Sequence, residues 1–249
     1  MPLHPLVTRA DDFGATPGSN DGILAALDGG AVCNVGIMAC GPHLQDRLEE
    51  LLAHPSKPCI GLHAALTSEW ETFRWGPTLP ATEVPSLVRP DGCFPASTKE
   101  LNEQADLEDM IREVRSQLQV LRDHGVEPGY MDTHMVFTWV KGVNQRLAAL
   151  CKEEGLIYAN TPGFTSVRCP LSGDTWPELV DLQAGIPTEG TGVWIFHPAL
   201  PDTIGAFPAK VAKARQCEAE RLKEGRMASL LAEAGCHPLR YDHVRTMPT

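Results

Sequence analysis

Short apolar runs alternate with helical patterns along most of this chain, and that alternation limits the fold more than any other feature. "PLVTRADD" (5–12) reads as a strand, and "SNDGILAALDGG" (19–30) as a helix with Ser19 or Asn20 near its cap and glycine at its end. "AVCNVGIMAC" (31–40) reads as a second strand, "HLQDRLEELLAH" (43–54) as a helix and "CIGLHAAL" (59–66) as a third strand. The clearest helix is 105–124, where Leu107, Met110, Ile111, Val114, Leu118 and Leu121 recur at three- and four-residue steps as one apolar stripe. Beyond it come a strand at 129–137, a helix at 143–155 and strands at 156–160 and 192–200. A charged helix at 208–225, a short helix at 227–234 and a last strand at 237–241 follow. Such alternation favours a parallel sheet with helices outside, either an open doubly wound sheet or a closed barrel. Two irregular segments interrupt it. The first, 68–104, carries Trp70 and Trp75; the second, 161–191, carries Trp176. Long irregular segments at the C-terminal ends of parallel strands are where such folds build their sites.

Four of the expected strands end in groups able to bind a metal or move a proton. The first supplies Asp11 and Asp12, the third His63, the next Asp132 and His134, and a later one His197. If these strands are parallel neighbours, the four ends meet at one rim. Taken singly, each has an ordinary reading: Asp and Gly are turn formers, and a lone histidine is more often a core or surface residue than a ligand. The signal lies in the recurrence. Two adjacent buried carboxylates are costly unless a cation compensates them. Two imidazoles with one carboxylate make a facial metal site that leaves positions open for water and substrate.

Composition removes other classes. The net charge of −11 argues against nucleic acid or anionic lipid as the main partner, and no apolar stretch is long enough for a membrane span. The opening MPLHPLVTRADD has no basic start followed by a long apolar run. The eight cysteines form no Cys-x-x-Cys pair and are expected to be free thiols, so the reading is of a cytoplasmic protein.

The motifs together resemble the YdjC-like (ChbG/HpnK) carbohydrate deacetylases: "RADDFG" at 9–14, "GLHAALT" at 61–67, "VPSLVRPDGCF" at 84–94, "DTH" at 132–134, "HPA" at 197–199 and "RQCE" at 215–218, in the family's order. The resemblance implies a distorted (β/α) barrel, a single domain over 1–249 with loop insertions at about 68–104 and 161–191, and pairing as a homodimer. It also implies a divalent metal ion, Mg2+ or Zn2+, and hydrolysis of the N-acetyl group of an acetylated carbohydrate. Carried over by position, Asp12, His63 and His134 are the metal ligands, Asp11 the general base and His197 the candidate acid. The chain departs from the family where Val136 and Thr138 stand in place of histidines that follow its Asp-Ser/Thr-His, where Ala64 and Ala65 replace the usual residues after Gly-Leu-His, and at Ala199, the family's frequent glycine. Three readings stay open at this point: a deacetylase of an amino sugar, a non-catalytic or altered-specificity sugar-binding relative, and a metal hydrolase of another bond, such as a phosphoester, for which Arg9 and Arg74 are the nearest cations.

Overall fold

The structure is a computed structural model that describes residues 4–140, 142–167 and 176–244. Its eight strands are β1 (His4–Phe13), β2 (Asn34–Ile37), β3 (Cys59–Ala64), β4 (Tyr130–Thr133), β5 (Ile157–Tyr158), β6 (Phe164–Ser166), β7 (Thr191–Phe196) and β8 (Cys236–Leu239). All pair in parallel, in the order β5-β4-β3-β2-β1-β7-β6. β1 is the centre. One edge carries β7 along Leu6–Ala10; the other carries β8 beside His4–Val7 and then β2 from Arg9 onward. Among the described residues no ladder joins β5 to β6, so the sheet is a curled, incompletely closed barrel, as expected for a distorted (β/α) barrel.

The helices are α1 (Pro17–Asp28), α2 (Leu48–Leu52), α3 (Thr98–Gln104), α4 (Leu107–Asp123), α5 (Val143–Glu154), α6 (Leu179–Gly185), α7 (Ala209–Lys223) and α8 (Arg226–Glu233). The period of two along each strand sorts the core into two layers. Leu6, Ala10, Val35, Ile37, Leu62, Ala64, Met131, Trp194 and Phe196 belong to the large cluster shared with the helices. Val7, Cys59, Tyr130 and Val193 belong to a separate inner cluster with Tyr241. By the same alternation Arg9, Asp11, His63, Asp132 and His197 continue the inner face toward the C-terminal strand ends. The inner face is thus apolar low in the barrel and polar at the C-terminal strand ends, while the outer face packs apolar residues against the helices.

Several local expectations are corrected. The cap of α1 is Thr16, whose side chain accepts from Ser19 N–H, with Pro17 at the first helical position, where a missing N–H costs nothing. Only Leu48–Leu52 of 43–54 is helical; the stretch before it is a series of turns. β4 stops at Thr133 instead of running to 137, because Met135 (φ 54°) and Val136 (φ 50°) are left-handed. The two irregular segments hold α3, and β6 with α6, respectively; 168–175, inside the second, lies outside the described residues. In α4 the buried Met110, Ile111, Val114, Leu118 and Leu121 match the sequence stripe, and Asp106 caps the helix by accepting from Glu108 and Asp109 N–H. Asp109, Glu113 and Gln117, four residues apart, are buried on the same helix. They hold the first irregular segment. Asp109 accepts from Ser86 N–H and Oγ–H, Glu113 from Thr78 N–H and Oγ–H and from Leu79 N–H, and Gln117 exchanges two bonds with the Ala65 backbone.

Candidate metal centre

Asp11 and Asp12 sit where β1 bulges. Its register against β2 shifts between Ala10 and Phe13, and Asp12 is left-handed at φ 76°. Alternation would turn Asp12 toward the helices once Asp11 faces inward. The bulge turns it back, which is what bulges beside active sites do. Both carboxylates therefore reach the concavity, each with its own arginine.

Two arginines supply the positive charge that adjacent aspartates require. Arg9 is buried, and its Nε and Nη2 donate to Asp11 Oδ2 at 3.0 and 2.7 Å. Nη2 also lies 2.6 Å from Asp132 Oδ2, and Nη1 donates to Tyr241 at 3.2 Å. Arg215, on α7, donates to Asp12 Oδ2 at 2.7 Å. One turn further along α7, Glu218 accepts from the His197 N–H at 2.7 Å. The Arg-x-x-Glu spacing thus lets one helix face fix two strand ends. Burial opposes ionisation of Asp12, but the Arg215 charge and both histidines outweigh it and hold the carboxyl well below its usual range. Asp132 is lowered in the same way, by Arg9 and His63 against burial.

Each histidine turns one ring nitrogen to a carboxylate and the other toward a common point. His63 Nδ1 lies 2.9 Å from Asp132 Oδ2, and His134 Nε2 lies 3.1 Å from each oxygen of Glu69. Facing carboxylates, those nitrogens carry the ring protons, and the other nitrogen of each neutral ring is left as a lone pair. The two lone-pair nitrogens, His63 Nε2 and His134 Nδ1, stand 3.3 Å apart. Asp12 Oδ1 lies 3.5 Å from the first and 3.3 Å from the second, and is a buried oxygen without a hydrogen-bond partner. Donors bound to one ion at about 2.1 Å stand roughly 3 to 3.5 Å from one another, so this triangle has the dimensions of one face of a metal site. Three lone pairs converging in a buried place repel unless a cation joins them, and the residues fit a divalent ion on that ground. A proton can replace it in part: burial opposes protonation of His134, but Glu69 and Asp12 push it up to about 9, and Asp132 with Asp11 raises His63 against its own burial. The second cluster of potential ligands, Asp11, His63 and Asp132, already holds the Arg9 guanidinium.

All six residues singled out at the strand ends, Asp132 included, therefore lie in one region. Asp12, His63 and His134 form the triangle. Asp11 approaches His63 to 3.9 Å, and its Oδ1 is buried without a donor beside Gly36, where a Cβ would stand 2.4 Å from that oxygen. His197 feels the charges of Asp12, Arg215, Asp11 and His63, and burial lowers its pKa from the ordinary imidazole value. The absent family histidines fall outside this set: Val136 is exposed and Thr138 half-buried on the turn beyond His134. Trp75 is buried, edge-on to His134, and so anchors its loop, while Trp70 packs edge-on against Phe207. Sequence reasoning missed Glu69, which lies in an irregular segment with no periodicity to mark it. Arg9 could have been found from its spacing, since it shares the Asp11 face of β1.

The family described as YdjC-like protein matches residues 5–233. A carbohydrate deacetylase of Geobacillus stearothermophilus is 34% identical over 251 residues, covering 97% of this chain and 98% of that protein. One from Enterococcus faecalis is 27% identical over 268 residues, with 97% and 98% covered. A crystal structure from Enterococcus faecalis, described as a cellobiose-phosphate cleavage protein, shares the fold with a TM-score of 0.82 at 23% identity, covering 96% of this chain and 98% of that one. Matched along nearly its whole length, this chain belongs to the YdjC-like family.

Proposed function

We propose that this protein is a carbohydrate deacetylase, a metal-dependent hydrolase of the N-acetyl group of an acetylated amino sugar or oligosaccharide. The observation that carries the reading is the convergence of Asp12 Oδ1, His63 Nε2 and His134 Nδ1 on one point beside a second carboxylate, Asp11. The family and its full-length relatives named carbohydrate deacetylase support it.

A divalent ion held by Asp12, His63 and His134 would polarise the amide carbonyl and lower the pKa of the attacking water. Asp11 is suited to take the proton from that water: Arg9 fixes its Oδ2, and Oδ1 is left without a donor. Collapse of the tetrahedral adduct breaks the C–N bond, releasing acetate and an amine that must gain a proton. His197 is the candidate donor. For the protons to balance, His197 enters the step protonated and the proton Asp11 takes from water returns to solvent after turnover; because burial lowers the His197 pKa, that imidazolium is a stronger acid than a free one. Arg9 is committed to Asp11 and Asp132, Arg215 to Asp12, and Arg74 to Asp91. None of the three is free to receive a phosphate, which disfavours the phosphoester reading. The seven cysteines in the described residues are free thiols, in keeping with a cytoplasmic location. Among the described residues no helix is long and apolar enough to cross a membrane.

The test is acetate release from N-acetylglucosamine and its oligomers by protein stripped with chelator and reloaded with single metals. Asp12→Ala and His63→Ala should abolish both metal uptake and acetate release. Turnover retained by stripped Asp12→Ala would reject the mechanism.

A further inference from the structure

The two histidines of the triangle are held from behind in different ways. His63 turns Nε2 to the centre and is anchored through Nδ1 by Asp132, a strand residue of β4. His134 turns Nδ1 to the centre, and its anchor, Glu69, comes from the loop after β3. That loop is pinned on both sides of Glu69. Ser68 N–H donates to Pro95 O, Trp75 N–H to Ser68 Oγ, and Phe94 N–H to Trp75 O, all at 2.8 to 3.0 Å. The Glu69 and His134 side chains are 13% and 5% exposed, so the contact is largely shielded from water.

We propose that Glu69 is a positioning residue for the metal: it holds the Nε2–H of His134 so that the Nδ1 lone pair is presented to the ion, and thereby ties ion affinity to the seating of the 68–75 loop. The inference rests on the metal-site reading above. The physical reason is that an imidazole offers either nitrogen unless something chooses. A carboxylate equidistant from one nitrogen fixes the tautomer and the ring plane, and it strengthens the other nitrogen as a donor. Following β4, His134 begins a turn whose next two residues are left-handed.

Zn2+ titration calorimetry on the chelator-stripped full chain, with the Co2+ absorption spectrum as a second readout, tests this. Glu69→Gln is nearly isosteric and Glu69→Ala removes the anchor; both are expected to weaken Zn2+ binding about 10- to 100-fold and to alter the Co2+ ligand-field bands. Glu69→Asp should recover part of the affinity. Thermal midpoints of the stripped variants should fall, because Glu69 also faces the His134 proton; the Co2+ bands separate the two roles, since a purely structural role would lower the midpoints without changing the bands. Wild-type affinity and an unchanged Co2+ spectrum in both Glu69→Gln and Glu69→Ala would overturn the inference and leave the metal site standing. Absence of Zn2+ binding in wild type would overturn both.

Discussion

Asp12 combines three roles in one residue: a left-handed backbone at a bulge, one oxygen on Arg215 and the other in the ligand triangle. Short polar Asp tolerates that backbone better than most side chains. The Arg215 pair is a buried charge pair, and removing one partner of such a pair typically costs about 3–5 kcal/mol, because the remaining charge is stranded. Arg215→Met should therefore destabilise the metal-stripped protein by about that much in urea titration. With saturating metal the loss should be smaller, since a second cation then faces Asp12. An equal loss with and without metal would show that Arg215 contributes packing, including its contact with the Phe207 ring, and not charge.

At the scale of elements, α4 does two jobs with one sequence. Its apolar stripe was legible because Met110, Ile111, Val114, Leu118 and Leu121 follow the helical period. The polar row Asp109, Glu113, Gln117 has the same four-residue spacing, but charged residues on a helix are normally solvated, so spacing alone does not mark it as interior. Only the docked loop makes it interior. Burial raises the Glu113 pKa, and the donors from Thr78, Leu79 and Gln117 partly offset this. Glu113→Ala would leave the half-buried Thr78 and Leu79 N–H groups without their acceptor, while the Thr78 hydroxyl keeps Ser116 Oγ, for an expected loss of roughly 1–3 kcal/mol. The urea midpoint measures it, and limited proteolysis should show new cutting between residues 76 and 84. Protection equal to wild type would mean that the segment is held by its apolar contacts alone.

At the scale of the whole molecule, an ion held as proposed by Asp12, His63 and His134 would cross-link β1, β3 and the turn after β4. The pH dependence of stability should report on it. The His134 pKa lies above that of an unfolded histidine, near 6.5, at about 9. The stabilisation from its proton is therefore fully present below pH 6.5 and disappears as pH rises through about 9. For the stripped protein this amounts to a loss on the order of 3 kcal/mol across that window. Saturating metal should remove the decline, because the lone pair is then occupied without a proton. Metal at 100 times its Kd should add about 2.7 kcal/mol of stability at fixed pH. Thermal melts from pH 6 to 10, with chelator and with metal, measure both effects. A flat profile for the stripped protein would contradict this account of the His63–His134–Asp12 triangle.

The sequence by itself determined the parallel α/β architecture and the residues from which the site is drawn. Both follow from local rules: a period of two in the strands, a period near four in the helices, and chemically active residues at strand ends. The tertiary structure decided what no local rule carries. It decided that Asp12 turns inward, because a bulge overrides alternation; that Arg9 and Arg215 neutralise the two aspartates, because one lies on the same strand face and the other 203 residues away in sequence; and that Glu69 stands behind His134. Such pairings form when distant segments are brought together and buried, where each unpaired charge becomes costly, and that cost has no counterpart in the order of residues along the chain.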